Sequence, residues 1–501
     1  MNGRHAADWV ARAWALLVAT SALYFLSDNE ADNDLWVHLL SGRAILSSGS
    51  APHRDTLSYT VSGATWIDHE WLTQAAFAAV FDRLGPAGLW LVKMSVALLT
   101  AWLVWLMVAR RSASPWVRGP VMVLVLAAAA RGYAIRPQIV TYLGVAALLA
   151  ALDHLADAAR RRAWLLIALT GAAFALWANA HGGVVVGIGI LGLFTLAPAT
   201  ASARAQPPAV GVRAAMLVAA IAAACLTPYG TSLFGYVLAE LRAPHPLTEW
   251  QPVQLGDPAH VPFLVLLALL ITTLPLARTL RRQPWWAALV TITAIMAVRQ
   301  QRHIPLFGLC AAAPLADQLD AALARLRAAT ATRPSAGART AVALGLAGLA
   351  LMQVGLLVEH LGRGAIVYAA EEYPVGSVRF MRAQGVRGNL ALPLDWGGYV
   401  LWHATPAVKV SLDGRFATVY PPRVVEDNFA FFRGAGAPAA ARLLDDYDTT
   451  LVLVPRGVTT PLDSRPDWQM VYADAVAALF AKNGAAASRD SEAPRGWLLF
   501  P

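Results

Sequence analysis

Apolar residues fall in runs long enough to cross a bilayer as helices, about eleven in all by the length such a crossing needs. They lie near positions 9–27, 87–108, 115–131, 137–156, 163–179, 183–200, 209–227, 259–277, 284–299, 303–320 and 340–360. The pattern is interrupted at residues 28–86, where two amphipathic stretches, DLWVHLLSGRAIL and DHEWLTQAAFAAVFDRL, repeat Leu, Trp, Phe and Ala at helical spacing. Such stretches predict helices lying along the membrane surface. The linker between them, SSGSAPHRDTLSYTVSGATW, is rich in turn formers. After residue 361 the pattern changes again. NLALPL, VKVSL and TLVLVP read as strands, PVGSVRFMRAQ and APAAARLLDDY as helices, an alternation that predicts a small α/β domain.

The predicted architecture is mainly α: a polytopic membrane helical bundle over 1–360, including the outward loop 28–86, and a C-terminal extracytoplasmic α/β domain over 361–501. Composition agrees, with 57% apolar and only 14% charged residues among 501, too few charges for an ordinary soluble domain. Arginines set the orientation. Arg110, Arg111 and Arg118, then Arg160, Arg161 and Arg162, then Arg278, Arg281 and Arg282, then Arg325, Arg327, Arg333 and Arg339 make every second loop basic. Those loops are expected in the cytoplasm. The tract AATATRPSAGART is then a cytoplasmic linker, and the acidic loop after the first span faces outward with everything past residue 361. The net charge of +9 is this bias and no nucleic-acid footprint, because the basic residues sit in short separate loops. The first span lacks a small-residue cleavage site and is expected to stay. Cys225 and Cys310 both fall in spans, so the exported part is expected to carry no disulfide. The expected setting is the bacterial inner membrane, as a multi-pass protein.

Candidate chemistry begins just after the first span, where Asp28, Glu30, Asp32 and Asp34 follow one another. Carboxylates at the mouth of a membrane helix are costly unless water, a cation or a polar cleft receives them. Asp32 and Asp34 form a D-x-D pair. Asp34 reads either as N-cap of the next helix or, with Asp32, as a general base or divalent-metal ligand. A second group is basic and expected to face outward: Arg131 and Arg136 in RGYAIRPQ, and Arg299, Arg302 and His303 in VRQQRHIP. Arginines there oppose the topological bias. They suit either phosphate oxygens or pairing with carboxylates and lipid headgroups. Further substrate-binding candidates are His38, His69 and Glu70 in the loop, Asn179 and His181 in WANAHGG, Tyr229, and Glu249 with Trp250 in TEWQP. In the C-terminal domain, Trp396 to Tyr399 read as an aromatic-glycine turn, and Asp413 with Arg415 as a ligand contact or an intradomain ion pair. No Walker loop, dinucleotide fingerprint, HExxH or Cys/His zinc pattern is present.

On these residues the chain resembles the GT-C superfamily, multi-span glycosyltransferases that take a sugar from a polyprenyl-phosphate donor outside the membrane. Asp34, followed by Gly49, Pro52 and then DHEWL, is similar to the order in the aminoarabinose and protein-mannosyl transferase branches. The run DWGGYVLWHATPAVKVSLDGRF is similar to the tryptophan-aspartate region of oligosaccharyltransferase catalytic subunits. The Asp-Glu doublet and Lys-Pro-Pro segment of the former branches are missing, so donor and acceptor are not carried over. The resemblance implies inverting transfer to a glycan, lipid or protein acceptor, with Asp34 at the catalytic acidic position and Asp32 as second candidate. It leaves a divalent metal open and requires the carboxylates and the distant arginines to share one hydrated pocket. The competing classes are a transporter or flippase of a lipid-linked or anionic substrate and a non-catalytic envelope assembly protein. No internal repeat marks a transporter.

Overall fold

The computed structural model describes residues 3–154, 163–197, 208–240, 247–330, 335–433, 438–483 and 494–501. Arg160, Arg161, Arg162 and Arg333, and the ends of the runs expected at 137–156 and 183–200, lie outside the described residues. In chain order the helices are α1 (Gly3–Leu26), α2 (Leu35–Ser48), α3 (Trp71–Arg111), α4 (Pro115–Ala129), α5 (Ile139–His154), α6 (Ala163–Ala180), α7 (Val184–Leu196), α8 (Val210–Ala224) and α9 (Ser232–Glu240). They continue with α10 (Val261–Thr272), α11 (Arg278–Arg282), α12 (Pro284–Arg299), α13 (Ile304–Thr330), α14 (Ala336–Gly362), α15 (Val375–Ala383), α16 (Leu394–Ala404), α17 (Pro422–Phe432) and α18 (Pro438–Asp445). The strands are β1 (Val367–Ala369), β2 (Gly388–Ala391), β3 (Val408–Val410), β4 (Leu451–Pro455), β5 (Trp468–Ala473), β6 (Ala477–Lys482) and β7 (Trp497–Leu499).

Two compact units divide the chain: Met1–Asn29 with Trp90–Thr227 and His245–Gly362, and Glu30–Leu89 with Pro228–Pro244 and Arg363–Pro501. The first unit is helical. Among the described residues of the chain, five helical stretches are long and apolar enough to cross a membrane: Asp8–Leu26, Trp71–Arg111, Ala163–Ala180, Gln301–Thr330 and Ala336–Gly362. Others expected as spans are shorter apolar helices, among them Ile139–His154, Val184–Leu196 and Pro284–Arg299. Proline accounts for some of the shortening. The run expected at 259–277 leaves α-geometry at Thr272, just before Leu274–Leu276, whose Pro275 has no N–H to donate. α13 is the most enclosed helix, with Ile304 to Ala316 buried without a break. α1 lies on α14 through Ala13, Leu17, Leu346 and Ala350. Thr20 donates to Gln353 at 2.8 Å and Gln353 to Ser21 at 3.0 Å, polar contacts that hold apolar helices in register.

The second unit carries the sheets. Five strands run in the order β3-β2-β4-β6-β5, with β2 parallel to β3 and β4, and β6 antiparallel to β4 and β5. β1 and β7 form a separate antiparallel pair. Strands β2, β3 and β4 and helices α15 and α18 are those the sequence predicts; β5, β6 and the β1–β7 pair are additional. The sequence assigns 28–86 to the membrane domain, yet Glu30–Leu89 packs with the C-terminal residues. The physical reason is visible at α2. Leu35, Trp36, Val37, His38 and Leu39 are all buried, so this helix begins enclosed on every side and not with one face in lipid. Trp36 is 0% exposed, with the rings of Tyr399, Tyr368 and Phe500 at 5.0, 5.3 and 4.3 Å. Glu30 pairs with Val367 and Ser58 with Val410 as isolated bridges. α3 is two helices joined at Gly85, whose φ of 64° suits glycine, with Pro86 next.

Candidate active site

In the second unit, Asp34 occupies the N-cap position of α2, but its side chain makes no capping hydrogen bond. The turn into the helix is made by Asp32, whose Oδ1 accepts the Asp34 N–H at 2.9 Å and whose carbonyl accepts from Leu35 at 3.0 Å. The Asp34 carboxylate lies against Gly414: a Cβ there would sit 1.8 Å from Asp34 Oδ1. The capping alternative is thus met in position and not in bonding.

One turn on, His38 shares a face with Asp34. Gly42 lets α2 close onto the start of α3, since a Cβ there would lie 2.1 Å from the Gln74 carbonyl oxygen. That approach sets His38 Nδ1 3.3 Å from Gln74 Nε2 and 3.6 Å from Glu70 Oε2. Gln74 Nε2 also donates to Asp68 Oδ1 at 3.1 Å, and His69 Nε2 lies 3.4 Å from Glu70 Oε1. Asp68 is buried, and burial, then the charge of Glu70, raises its carboxyl to about 7. His69 stacks on Tyr236 at 4.9 Å. Burial alone would lower its imidazole, but Glu70, Asp68 and Glu240 together raise it. Tyr229 donates to the Pro52 carbonyl at 2.7 Å and packs on His53.

Asp413 and Arg415 form the intradomain pair. Both are buried, with Arg415 Nη2 2.7 Å from Asp413 Oδ2, Nε 2.8 Å from Oδ1, and Nη1 2.6 Å from Asp55 Oδ1. Tyr420 donates to Asp413 Oδ2 at 2.6 Å, and Trp66 lies under the guanidinium at 4.8 Å. Burial would raise Asp413, but Arg415 and Tyr420 outweigh it and hold it below the usual carboxylate range. Trp396 is buried too and donates its indole N–H to the Glu372 carbonyl at 2.8 Å. The turn expected at Trp396 to Tyr399 is instead helix α16. Its glycines serve close packing: Cβ atoms at Gly397 and Gly398 would lie 2.3 Å from the Leu412 carbonyl oxygen and 2.8 Å from that of Asn33.

In the first unit three of the five basic candidates, Arg131, Arg136 and Arg302, are brought to two carboxylates. Arg136 Nη1 and Arg302 Nη1 lie 3.0 and 3.3 Å from the two oxygens of Glu249, and Arg302 stacks over Trp250 at 4.1 Å. Arg131 pairs with Asp257 at 3.2 Å. Arg299 is exposed at the end of α12, and His303 bonds Gln300 at 3.0 Å. Asn179 donates to the Ala175 and Leu226 carbonyls, both at 2.8 Å. His181 Nδ1 accepts the Gly183 N–H at 2.9 Å and lies 2.8 Å from Thr141 Oγ1, which Trp177 bonds from its other side. An accepting Nδ1 puts the proton of the neutral ring on Nε2. A Cβ at Gly183 would lie 2.3 Å from Thr141 Oγ1, so the missing side chain lets Thr141 approach closely.

Sequence reasoning passed over Asp55, Asp68, Gln74 and Tyr236, and read Gly414 only as part of the turn between Asp413 and Arg415. Asp55 was legible as a turn: in DTLS its carboxylate accepts the backbone N–H groups of Leu57 and Ser58, both at 3.1 Å, as a D-x-x-S spacing allows.

No protein-family model matches the chain, and no curated protein matches it either. Solved structures do match. The Archaeoglobus fulgidus oligosaccharyltransferase in its apo form aligns with TM-score 0.58 and 11% identity over 89% of this chain and 69% of that one. AglB from the same organism, in complex with an inhibitory peptide and a dolichol-phosphate, aligns at 0.54 and 13% with the same coverage. ArnT from Cupriavidus metallidurans in the apo state aligns at 0.50 and 15% over 95% of this chain and 98% of that one. At such identities the likeness is one of fold: the chain shares the fold of these oligosaccharyltransferase and ArnT structures.

Proposed function

We propose that the protein is a membrane glycosyltransferase that moves a sugar from a polyprenyl-phosphate-linked donor to an extracytoplasmic glycan, lipid or protein, with inversion. The observation that carries this is Asp34: a helix-start aspartate whose carboxylate is held against the Gly414 backbone. The fold supports the class, shared as it is with AglB, one of whose structures holds a dolichol-phosphate and a peptide.

In this reading Asp34 takes the proton of an acceptor hydroxyl, with Asp32 fixing its backbone. The acceptor oxygen bonds to the anomeric carbon as the bond from that carbon to the phosphate oxygen breaks, and the electron pair leaves on the lipid phosphate. Negative charge grows on that phosphate, which Arg136 and Arg302, with Arg131, Arg299 and His303 as further candidates, would stabilise. His38, His69, Glu70, Asn179, His181, Tyr229 and Trp250 are the groups proposed around the substrate. A divalent cation, the option left open at Asp32 and Asp34, would draw on the same carboxylates.

The test uses the full-length protein in nanodiscs with radiolabelled decaprenyl-phosphate hexoses and pentoses, following release of decaprenyl phosphate to water or envelope acceptors. Asp34→Asn should lower turnover by about a hundredfold or more, the usual scale for loss of a general base. Full turnover in both Asp34→Asn and Asp32→Asn would remove the base, and transport without turnover in sealed vesicles would favour a flippase.

A further inference from the structure

Gly414 sits in a tight turn, Asp-Gly-Arg-Phe, that follows β3 and is fixed on both sides. Asp413 and Arg415 are tied to each other, to Asp55 and to Tyr420 in a fully buried network. Phe416 is forced to a φ of 37°, a left-handed conformation that non-glycine residues rarely adopt. Gly414 itself is not among the positive-φ residues, so its backbone makes no demand for glycine. The demand is spatial. A Cβ at 414 would meet three atoms of one side chain, Asp34 Oδ1 at 1.8 Å, Cγ at 2.8 Å and Cβ at 3.5 Å. The Asp34 carboxylate therefore occupies the volume a side chain at 414 would fill.

We propose that Gly414 is a positioning residue: the turn, anchored by the buried Asp413–Arg415–Asp55 ion pairs, is a rigid wall that sets the direction of the Asp34 carboxylate. This deepens the proposed role of Asp34 and rests on it for its catalytic meaning. The contact joins the loop after the first span to the C-terminal residues within one compact unit. A base aimed by a wall made elsewhere in the chain needs both segments folded together, and small errors in aim are costly to a proton transfer.

The distances give a sharp test. In an Asp34→Ala background the nearest atom left to a Cβ at 414 is the residue 34 Cβ at 3.5 Å, an ordinary contact. Gly414→Ala should lower the unfolding temperature of the full-length protein in detergent, and should have almost no effect when Asp34→Ala is already present. If Gly414→Ala alone gives no folded protein, the double variant should restore expression. Gly376→Ala, whose Cβ meets Asp474 Oδ2 at 2.2 Å, is the packing control and should show no such relief. In the turnover assay Gly414→Ala should lower kcat by about a hundredfold with donor KM unchanged, the scale for misplacing a reacting group by about 1 Å. It should also move the acid limb of the pH profile, which a general loss of packing would leave in place. Equal loss of stability from Gly414→Ala in both backgrounds overturns the proposal. Coupled stabilities with a fully active Asp34→Asn keep the wall and remove the base.

Discussion

Arg302 lies over the indole of Trp250, its Cζ 4.1 Å from the ring centroid, while its Nη1 reaches Glu249 at 3.3 Å. The adjacent residue pair Glu249–Trp250 thus supplies both an anion and an aromatic face to one guanidinium, and Arg136 completes the set from the other carboxylate oxygen at 3.0 Å. Two arginines on one carboxylate present the charge and spacing that a phosphate also satisfies. If phosphate binds there, Glu249 competes with it.

Glu249→Gln should therefore tighten binding of decaprenyl phosphate to the nanodisc-held protein several-fold, because both guanidinium groups lose a charged competitor. Arg302→Ala should weaken it by about tenfold, within the range for a charge-assisted hydrogen bond. The partners are partly exposed, so both effects should shrink with added salt. Unchanged or weaker binding by Glu249→Gln would show that the carboxylate does not stand where phosphate goes.

Asp68 predicts a pH dependence of stability. Its Oδ2 is buried with no hydrogen-bond partner among the described residues, and burial with the charge of Glu70 raises the carboxyl to about 7. A group with a higher pKa folded than unfolded stabilises the fold in its protonated form. That contribution is complete below the ordinary aspartate value of about 4 and is lost as pH rises through about 7. The wild-type unfolding temperature should fall across this window. His69, also raised, contributes a slope of the same sign, so the difference between wild type and Asp68→Asn reports Asp68. Identical slopes in the two proteins would place a proton elsewhere.

Arg415 is a structural cation. Removing it leaves Asp413 and Asp55 buried without their counter-charge, a change that costs about 3–5 kcal/mol in such settings. Arg415→Leu should unfold well below the wild type. Arg415→Lys should rescue little, because one ammonium cannot replace three bonds from a planar fork. A lysine variant with the wild-type unfolding temperature would mean that charge alone, and not fork geometry, holds the turn.

Much of this molecule is written in local sequence, and its departures share one cause. Apolar runs mark the membrane helices, and β2, β3 and β4 announce themselves as short runs of Leu and Val. What local pattern does not carry is which surface a residue meets. The Trp36 segment reads as amphipathic, but its indole is enclosed by Tyr368, Tyr399 and Phe500 from more than 300 residues away. Asp34 was legible as an acidic helix start; Gly414 was not, because a glycine that makes room for a distant carboxylate looks like any turn glycine.

The glycine pair of α16 gives a prediction whose sign separates two effects. Glycine inside a helix is less favourable than alanine by about 1 kcal/mol, so on propensity alone Gly397→Ala should stabilise. At this position the new Cβ would lie 2.3 Å from the Leu412 carbonyl oxygen and 2.7 Å from the Asp413 Cα, both backbone atoms that cannot rotate away. Overpacking of that kind costs about 1–3 kcal/mol, enough to reverse the propensity gain. Gly397→Ala should thus lower the unfolding temperature. Gly355→Ala, on α14 with nothing within 4 Å of its Cβ, should leave it unchanged or higher. If both substitutions raise it, α16 does not approach Leu412 as closely as described, and the reading of its glycines as packing residues fails.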